Sequence, residues 1–458
     1  MNDYRDNPLI IVIFGITGDL SQRKLLPSLY YLSENQGLPE KLRIVGVSRK
    51  HVDPAEIYQP LREHGDSIVI DHMQSQTEMC QLDIDNHEDY DALLGRLRDI
   101  SDEFGPGVSR LYYLSIPAQA FDAVVTNLGT TGHNEPFADD SFRPRLLVEK
   151  PFGHDTASAQ HLVDIASQHF GEQQTFRIDH YLAKETAQNI MTFRFKNPLF
   201  ETSWNAKHID RIEIVAHETI GIENRAYFYE HTGALRDILQ SHLLQLLALV
   251  TMERPAQFTS ADIHHAKQRL LDSIQTIELG DVATHTSRGQ YDSYRAEVDN
   301  ESSVVETFAR LNLQIDNEQW CGTTVMLETG KGLDEKLTEI TVHFRETKET
   351  SGANNVLIFR LQPREGITVL LQAKQPGIHN DTETVSMDFD YDTSFLARSV
   401  EAYARVIVDA IRDDQSLFAS SAEVMSSWRI IENVIQEWAK NDHGLTLYPI
   451  GASARNIT

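Results

Sequence analysis

The densest polar cluster in the chain is Arg177-Ile178-Asp179-His180-Tyr181-Leu182-Ala183-Lys184-Glu185. His180 and Lys184 are four residues apart, a spacing that puts them on one face if a helix has begun, where they would grip a single dianionic phosphate. Asp179 beside them is available as a carboxylate partner for a histidine elsewhere; its ordinary reading is an N-cap above a solvated helix face. His242 sits in Gly233-Ala234-Leu235-Arg236-Asp237-Ile238-Leu239-Gln240-Ser241-His242-Leu243-Leu244, three and four residues from Leu239 and Ile238 and therefore near a buried stripe. A lone histidine there is more often a satisfied core residue. Given a carboxylate such as Asp179 to fix its tautomer and stabilise its imidazolium, it becomes a base suited to removing a hydroxyl proton. Glu218 and Asp237 are further carboxylates able to accept hydrogen bonds from ligand hydroxyls, and Lys331 and Lys336 add cations just before an alternating strand.

A second group of residues has the chemistry of a dinucleotide site. Gly15-Ile16-Thr17-Gly18 follows the apolar run Leu9 to Phe14 and precedes a helical pattern opening at Asp19-Leu20. Free N–H groups and the dipole at such a helix start favour a pyrophosphate. Without the full G-x-G-x-x-G, the motif alone is equally an ordinary strand-to-helix turn. Val47-Ser48-Arg49-Lys50 ends the next strand with cations where an NAD-specific protein would place a carboxylate, so a ribose 2′-phosphate, and hence NADP, is favoured; the bland alternative is a solvated pair. Glu149-Lys150-Pro151-Phe152-Gly153 places a lysine and a geometrically restricted proline at the carboxyl edge of the sheet, the ligand-binding edge of such folds.

The elements that must position these groups are legible as two textures. Leu9 to Phe14, Arg43 to Val47, Arg110 to Ser115 and Arg145 to Glu149 read as short apolar strands with helix-sized intervals, which over the first ~175 residues implies a parallel, doubly wound α/β sheet. From Ile209 onward, Arg211 to Val215, Leu337 to Phe344, Leu357 to Leu361 and Thr368 to Leu371 alternate polar and apolar residues, as a large antiparallel sheet does. Helical patterns about Ala183 to Phe195, Thr232 to Met252 and Phe395 to Ile411 accompany it. The expected organisation is a Rossmann-like dinucleotide-binding domain over 1–176, then an α+β domain over 177–458 for substrate binding, catalysis and oligomerisation. The 458 residues carry 68 Asp plus Glu against 41 Lys plus Arg, a formal charge of −27. That argues against nucleic-acid or anionic-membrane partners and requires the cations for any anionic ligand to be focused in a site. Cys80 and Cys321 fit no metal spacing, the N-terminal run lacks a signal-peptide pattern, and no apolar stretch reaches ~20 residues, so a cytoplasmic protein is expected.

Taken with Arg288-Gly289-Gln290-Tyr291 and Thr329-Gly330-Lys331, these ordered motifs resemble the glucose-6-phosphate dehydrogenase family from Ile10 to roughly Trp438. The resemblance implies NADP-linked oxidation of D-glucose 6-phosphate to the 6-phospho-gluconolactone, with NAD as a possible second cofactor, in a homodimer or homotetramer. It implies that His242 accepts the anomeric hydroxyl proton with Asp179 as its partner while hydride leaves for the nicotinamide, so no metal is called for. His180, Tyr181 and Lys184 would hold the sugar phosphate, completed by Lys331 and Lys336; Lys150 would orient sugar and nicotinamide; Glu218 and Asp237 would bind hydroxyls. Gly15, Thr17, Gly18, Asp19 and Leu20 would form the cofactor turn, Arg49 would meet the 2′-phosphate, and Asp83 and Ile84 would line the adenosine side. Departures from the pattern are Ala183 for a usual Gly, Glu223-Asn224-Arg225 for a more glycine-rich segment, and Glu328 at a position often Arg. The competing expectations are a sugar oxidoreductase of the glucose-fructose oxidoreductase type, acting on a non-phosphorylated sugar, and a catalytically silent nucleotide-binding homologue.

Overall fold

The computed structural model describes residues 3–137, 142–346, 354–391 and 401–457. Two compact units interleave along the chain, so no single cut separates them: Met1–Gly153, Ala157–Ala183 and Val400–Ser421 form the first, and His154–Thr156, Lys184–Ser399 and Ala422–Thr458 the second.

In the first unit, β1 (Leu9–Phe14), β2 (Leu42–Ser48), β3 (Thr77–Gln81), β4 (Ser109–Leu114), β5 (Arg145–Val148) and β6 (Thr175–Ile178) are parallel, in the order β6-β5-β4-β1-β2-β3. β1 is apolar throughout because both faces are covered. Leu9, Ile11 and Ile13 pack with helices that include Leu26–Glu34 and Ala402–Ile411, while Ile10, Val12 and Phe14 pack with His87–Phe104 and Phe121–Thr130. Each such burial is worth about 1.5–3 kcal/mol over leaving the side chain exposed. The registers Phe14↔Val47, Phe14↔Leu114, Leu114↔Val148 and Val148↔Arg177 end all these strands on one edge, which is therefore where Gly15, Arg49, Lys150 and Asp179 emerge. Strands β3 and β6 go beyond the four expected here, as does β15 (Phe418–Ala419), which comes from the returning segment and pairs antiparallel with β6.

The second unit carries a nine-stranded sheet, with β7 (Ile209–His217), β8 (Thr286–Tyr291), β9 (Phe308–Leu313), β10 (Thr324–Gly330), β11 (Leu337–Phe344), β12 (Val356–Gln362), β13 (Gly366–Lys374), β14 (Thr382–Asp390) and β16 (Leu445–Tyr448). Its order is β14-β13-β12-β11-β7-β10-β9-β8-β16. Pairing is mainly antiparallel, but β7 with β10 and β8 with β16 are parallel. The Ala183–Phe195 expectation corresponds to Glu185–Lys196; the C-terminal one corresponds to Ala402–Ile411, with residues 395–400 outside the described set, but that helix packs on β1 in the first unit and not on this sheet. The single helix expected over Thr232–Met252 is three segments, Ala226–Ala234, Leu235–Leu243 and Leu244–Thr251: Gly233 turns the chain at φ 67°, ψ 175° before the second, and the winding changes from the second to the third without a break in helical backbone. Among the described residues no helix is long and apolar enough to cross a membrane.

A buried ion group ties two helices of this unit together. Lys267, on Ser260–Ser273, lies 2.8 Å from Glu423 of Ser421–Trp438; His264 Nδ1 is 2.7 Å from the same carboxylate, and Gln245 Oε1 accepts from Lys267 at 3.1 Å. Burial by itself would raise the Glu423 pKa, but the Lys267 ammonium and the His264 bond outweigh it and hold the carboxyl at about 2. The folded chain thus binds fewer protons here than the unfolded chain between about 4.5 and about 2, so this contribution is complete above the unfolded value and is lost as pH falls through that window. Lys267→Met is expected to destabilise by about 3–5 kcal/mol through the uncompensated buried carboxylate. Urea denaturation at pH 7 and pH 3 checks this, the deficit relative to the parent shrinking at the lower pH.

Candidate active site

The glycine turn after β1 is built for close approach. Gly15 has φ +76°, and a Cβ there would stand 2.1 Å from the Ser115 carbonyl oxygen, a backbone atom that cannot swing aside. Gly18 N–H closes the turn on Gly15 O at 2.9 Å, Ser21 Oγ donates to the same oxygen at 3.0 Å, and the helix opens at Asp19-Leu20. Thr17 and Asp19 are exposed, with Asp19 paired to Arg23 at 2.7 Å. A turn with glycine at both ends, followed by helix N–H donors, fits a pyrophosphate. Arg49 is exposed just past β2, where Gln81 donates to its carbonyl oxygen. Asp83 is exposed past β3, and Ile84 O accepts from Tyr90 and Asn127, which fixes the loop.

At the β5 and β6 ends of the same edge lie the remaining first-unit groups. Asp179 is buried and caps the turn after β6: its Oδ1 accepts from Tyr181 N at 3.0 Å and its carbonyl from Leu182 N at 3.1 Å. His180 and Tyr181 are half-buried, ring to ring at 5.1 Å. The helical-face argument for His180 and Lys184 does not hold, since the helix begins at Glu185 and Lys184 has extended backbone (φ −70°, ψ 142°). Asp179's capping bonds give the segment a turn instead of a helix start, and the two residues belong to different units. Ala183, buried at an ordinary φ, needs no glycine. Glu223 is the reverse case: at φ +49° it occupies a left-handed position that glycine favours.

In the second unit the parallel register His217↔Gly330 sets Glu218 and Lys331 side by side as β7 and β10 end together. Lys331 is buried and ion-paired with Glu218, and its Nζ stands 5.4 Å from the centroid of the Tyr229 ring. Asp237 and Glu218 both act electrostatically on Tyr229, whose hydroxyl pKa burial drives well up. Asp237 and His242 sit on Leu235–Leu243, which is a π-helix: Leu244 N–H reaches Leu239 O, five residues back. Positions five apart diverge by about 140° on an α-helix, whereas i→i+5 winding brings them close to one face. His242 is buried and Asp237 half-buried. Glu306 holds the start of this helix, accepting from Leu235 N–H at 3.0 Å while its carbonyl accepts from Ala234 N–H. Lys184 is held down to about 8, chiefly by burial, with Glu365 opposing and the Lys336 cation adding to the shift. Those two cations are therefore within electrostatic reach of each other, with Lys336 exposed. Glu328, buried, pairs with His217 at 2.8 Å and with Arg310.

Tyr229, Glu306 and Glu365 were not singled out from sequence. A glycine before a helix start, as Gly233 is, hints at a close neighbour, but nothing local identifies Glu306 as that neighbour.

Comparison with known proteins divides the chain in the same two chemistries. The family model described as "Glucose-6-phosphate dehydrogenase, NAD binding domain" matches residues 12–189, and "Glucose-6-phosphate dehydrogenase, C-terminal domain" matches 191–456. The chain belongs to the glucose-6-phosphate dehydrogenase family. Within that family it is 36% identical over 470 residues to a glucose-6-phosphate 1-dehydrogenase of Chlamydia muridarum, covering 94% of this chain and 91% of that protein. It is also 36% identical over 459 residues to glucose-6-phosphate 1-dehydrogenase 2 of Mycobacterium bovis, covering 94% and 88%. A solved glucose-6-phosphate dehydrogenase in complex with its substrate glucose 6-phosphate superposes with TM-score 0.92 at 30% identity, over 100% of this chain and 97% of that one. A levoglucosan dehydrogenase in complex with NADH, at TM-score 0.54 and 11% identity over 94% and 97%, shares the fold alone. Membership of the glucose-6-phosphate dehydrogenase family assigns the glycine-turn domain to a nicotinamide dinucleotide.

Proposed function

We propose that the chain oxidises D-glucose 6-phosphate to 6-phospho-D-glucono-1,5-lactone with NADP, the first step of the oxidative pentose phosphate pathway. The observation that carries this reading is the match of both family domains over nearly the whole length. A bound nicotinamide supplies the hydride acceptor. His242 accepts the proton of the anomeric hydroxyl, and Asp179 stabilises the imidazolium that results. His180, Tyr181, Lys184 and Lys336 hold the phosphate, Lys150 orients the sugar against the cofactor, and Glu218 and Asp237 accept from hydroxyls. Lys331, paired with Glu218, presents ammonium N–H donors beside a carboxylate, a set suited to hydroxyls as well as phosphate. Gly15, Thr17, Gly18, Asp19 and Leu20 hold the pyrophosphate, and Asp83 and Ile84 the adenosine. Formation of reduced cofactor, followed by absorbance with glucose 6-phosphate and with glucose, tests the assignment; equal rates with the two sugars would overturn it in favour of a glucose-fructose oxidoreductase type of activity.

The preference for NADP rests on Arg49, exposed at the end of β2 with no carboxylate in its place. Arg49→Ala is expected to raise KM for NADP by roughly tenfold or more and leave that for NAD nearly unchanged, as loss of one charge-assisted phosphate contact predicts. Parallel cofactor titrations check it, and equal losses would make Arg49 a solvated bystander. We further propose a cytoplasmic homodimer or homotetramer that engages neither nucleic acid nor membrane. Support for assembly comes from β14, an edge strand exposed along most of its length with Val385 at 40% and Met387 at 63% exposure. Light scattering on the eluting protein measures the assembly.

A further inference from the structure

Glu149 has no part in the mechanism above, yet it makes an unusual set of contacts within the first unit. It follows β5 directly and precedes Lys150. Tyr113, on the neighbouring β4, donates its hydroxyl to Glu149 Oε1. Tyr403, near the start of Ala402–Ile411, bonds the same carboxyl, and its ring stacks on that of His180 with centroids 6.1 Å apart and planes 18° apart. The carboxyl thus joins the ends of β4 and β5 to the returning helix, and through the Tyr403 ring to the turn after β6. The groups acting on it electrostatically are the Lys150 ammonium and the Asp179 carboxylate, while Glu401 acts on Tyr403. An ionised carboxylate is acceptor-only and satisfies two hydroxyl donors and a nearby ammonium at once; a protonated one gives up one acceptor position and the attraction for lysine.

We propose that Glu149 is a positioning residue for the reaction: clasped by Tyr113 and Tyr403, its ionised carboxyl braces Lys150 and, through the Tyr403 ring, His180. The inference rests on Lys150 and His180 serving the substrate as proposed above. Desolvation raises the carboxyl to about 7, against the Tyr113 bond and the Lys150 charge, with the Asp179 charge adding to the rise. The brace therefore forms as pH rises through neutrality.

The test is the pH dependence of kcat/KM for glucose 6-phosphate in the full-length parent and in Glu149→Gln, with Glu149→Ala and Tyr403→Phe alongside. Glutamine keeps the shape and fixes the neutral state, and the ratio of parent to Glu149→Gln cancels every titration the two share, the base included. That ratio is expected to be roughly tenfold at about pH 9 and to approach unity below about pH 6, with its midpoint near 7. Tyr403→Phe, which keeps the stacked ring but loses the hydroxyl, is expected to fall between parent and Glu149→Ala at high pH. A ratio independent of pH, or Glu149→Ala indistinguishable from the parent at every pH, overturns the proposal. An inactive parent would instead overturn the functional reading itself.

Discussion

His242→Asn is expected to lower kcat by ~10²–10⁴-fold while changing KM for glucose 6-phosphate little, because what is lost is the acceptor of a proton in flight and not a binding contact. The imidazole is buried on a helix whose buried side includes Leu235, Leu239 and Leu243, so it is desolvated and held in place by packing. Asparagine is polar and of smaller but comparable reach, so it fills the site without introducing a charge, and it cannot take up the proton. The decisive comparison is a full kinetic characterisation beside a thermal melt. Retained kcat in a variant with unchanged melting would return His242 to the ordinary status of a satisfied core histidine.

Gly233→Ala is the second large effect expected, and it acts through backbone conformation. At φ 67°, ψ 175° the residue lies in a region that is essentially glycine's own, worth about 1–3 kcal/mol of strain for any other residue. Its Cβ would also stand 2.3 Å from Glu306 Oε1. That oxygen accepts from Leu235 N–H, the first donor of the helix carrying Asp237 and His242, and burial has already raised the Glu306 carboxyl pKa, so it has no alternative solvation. Displacing it leaves a buried polar group unsatisfied, about 1–3 kcal/mol more. A fall in Tm of roughly 2–6 °C is expected for a chain of this size, together with loss of kcat as the helix start shifts. In Gly233→Ala/Glu306→Ala the collision is relieved but the cap is lost, so Tm should recover only in part. A single variant that melts with the parent would show that Glu306 is not the constraint.

The two sheets were legible because their residue patterns follow from local geometry: β1 buries both faces and reads as a continuous apolar run, while β11 alternates in burial from Leu337 to His343 and was bounded at Leu337 and Phe344 from sequence. The helix of His242 was legible as helical but not as π-wound, since the winding arises from packing and leaves the apolar spacing ambiguous. The His180–Lys184 relation was misread for a related reason. Four-residue spacing signals a shared face only where a helix exists, and Asp179's side chain, by capping its own turn, delays the helix to Glu185. β15 and Tyr403 were illegible because they come from a segment more than 200 residues downstream of the strands they meet.

By itself, the sequence determined which chemical groups this protein has and where each sits along its strand or helix: a glycine turn after β1, cations after β2 and β5, carboxylates and a histidine on a second, helical stretch. Periodicity and turn chemistry act over a few residues, and so does that information. Only the tertiary structure decided which groups meet. The parallel register His217↔Gly330 paired Glu218 with Lys331, Gly233 admitted Glu306 to the helix start, and Tyr403 returned to clasp Glu149. Such contacts join residues tens to hundreds of positions apart, so they are set by strand order and packing, which no local pattern encodes.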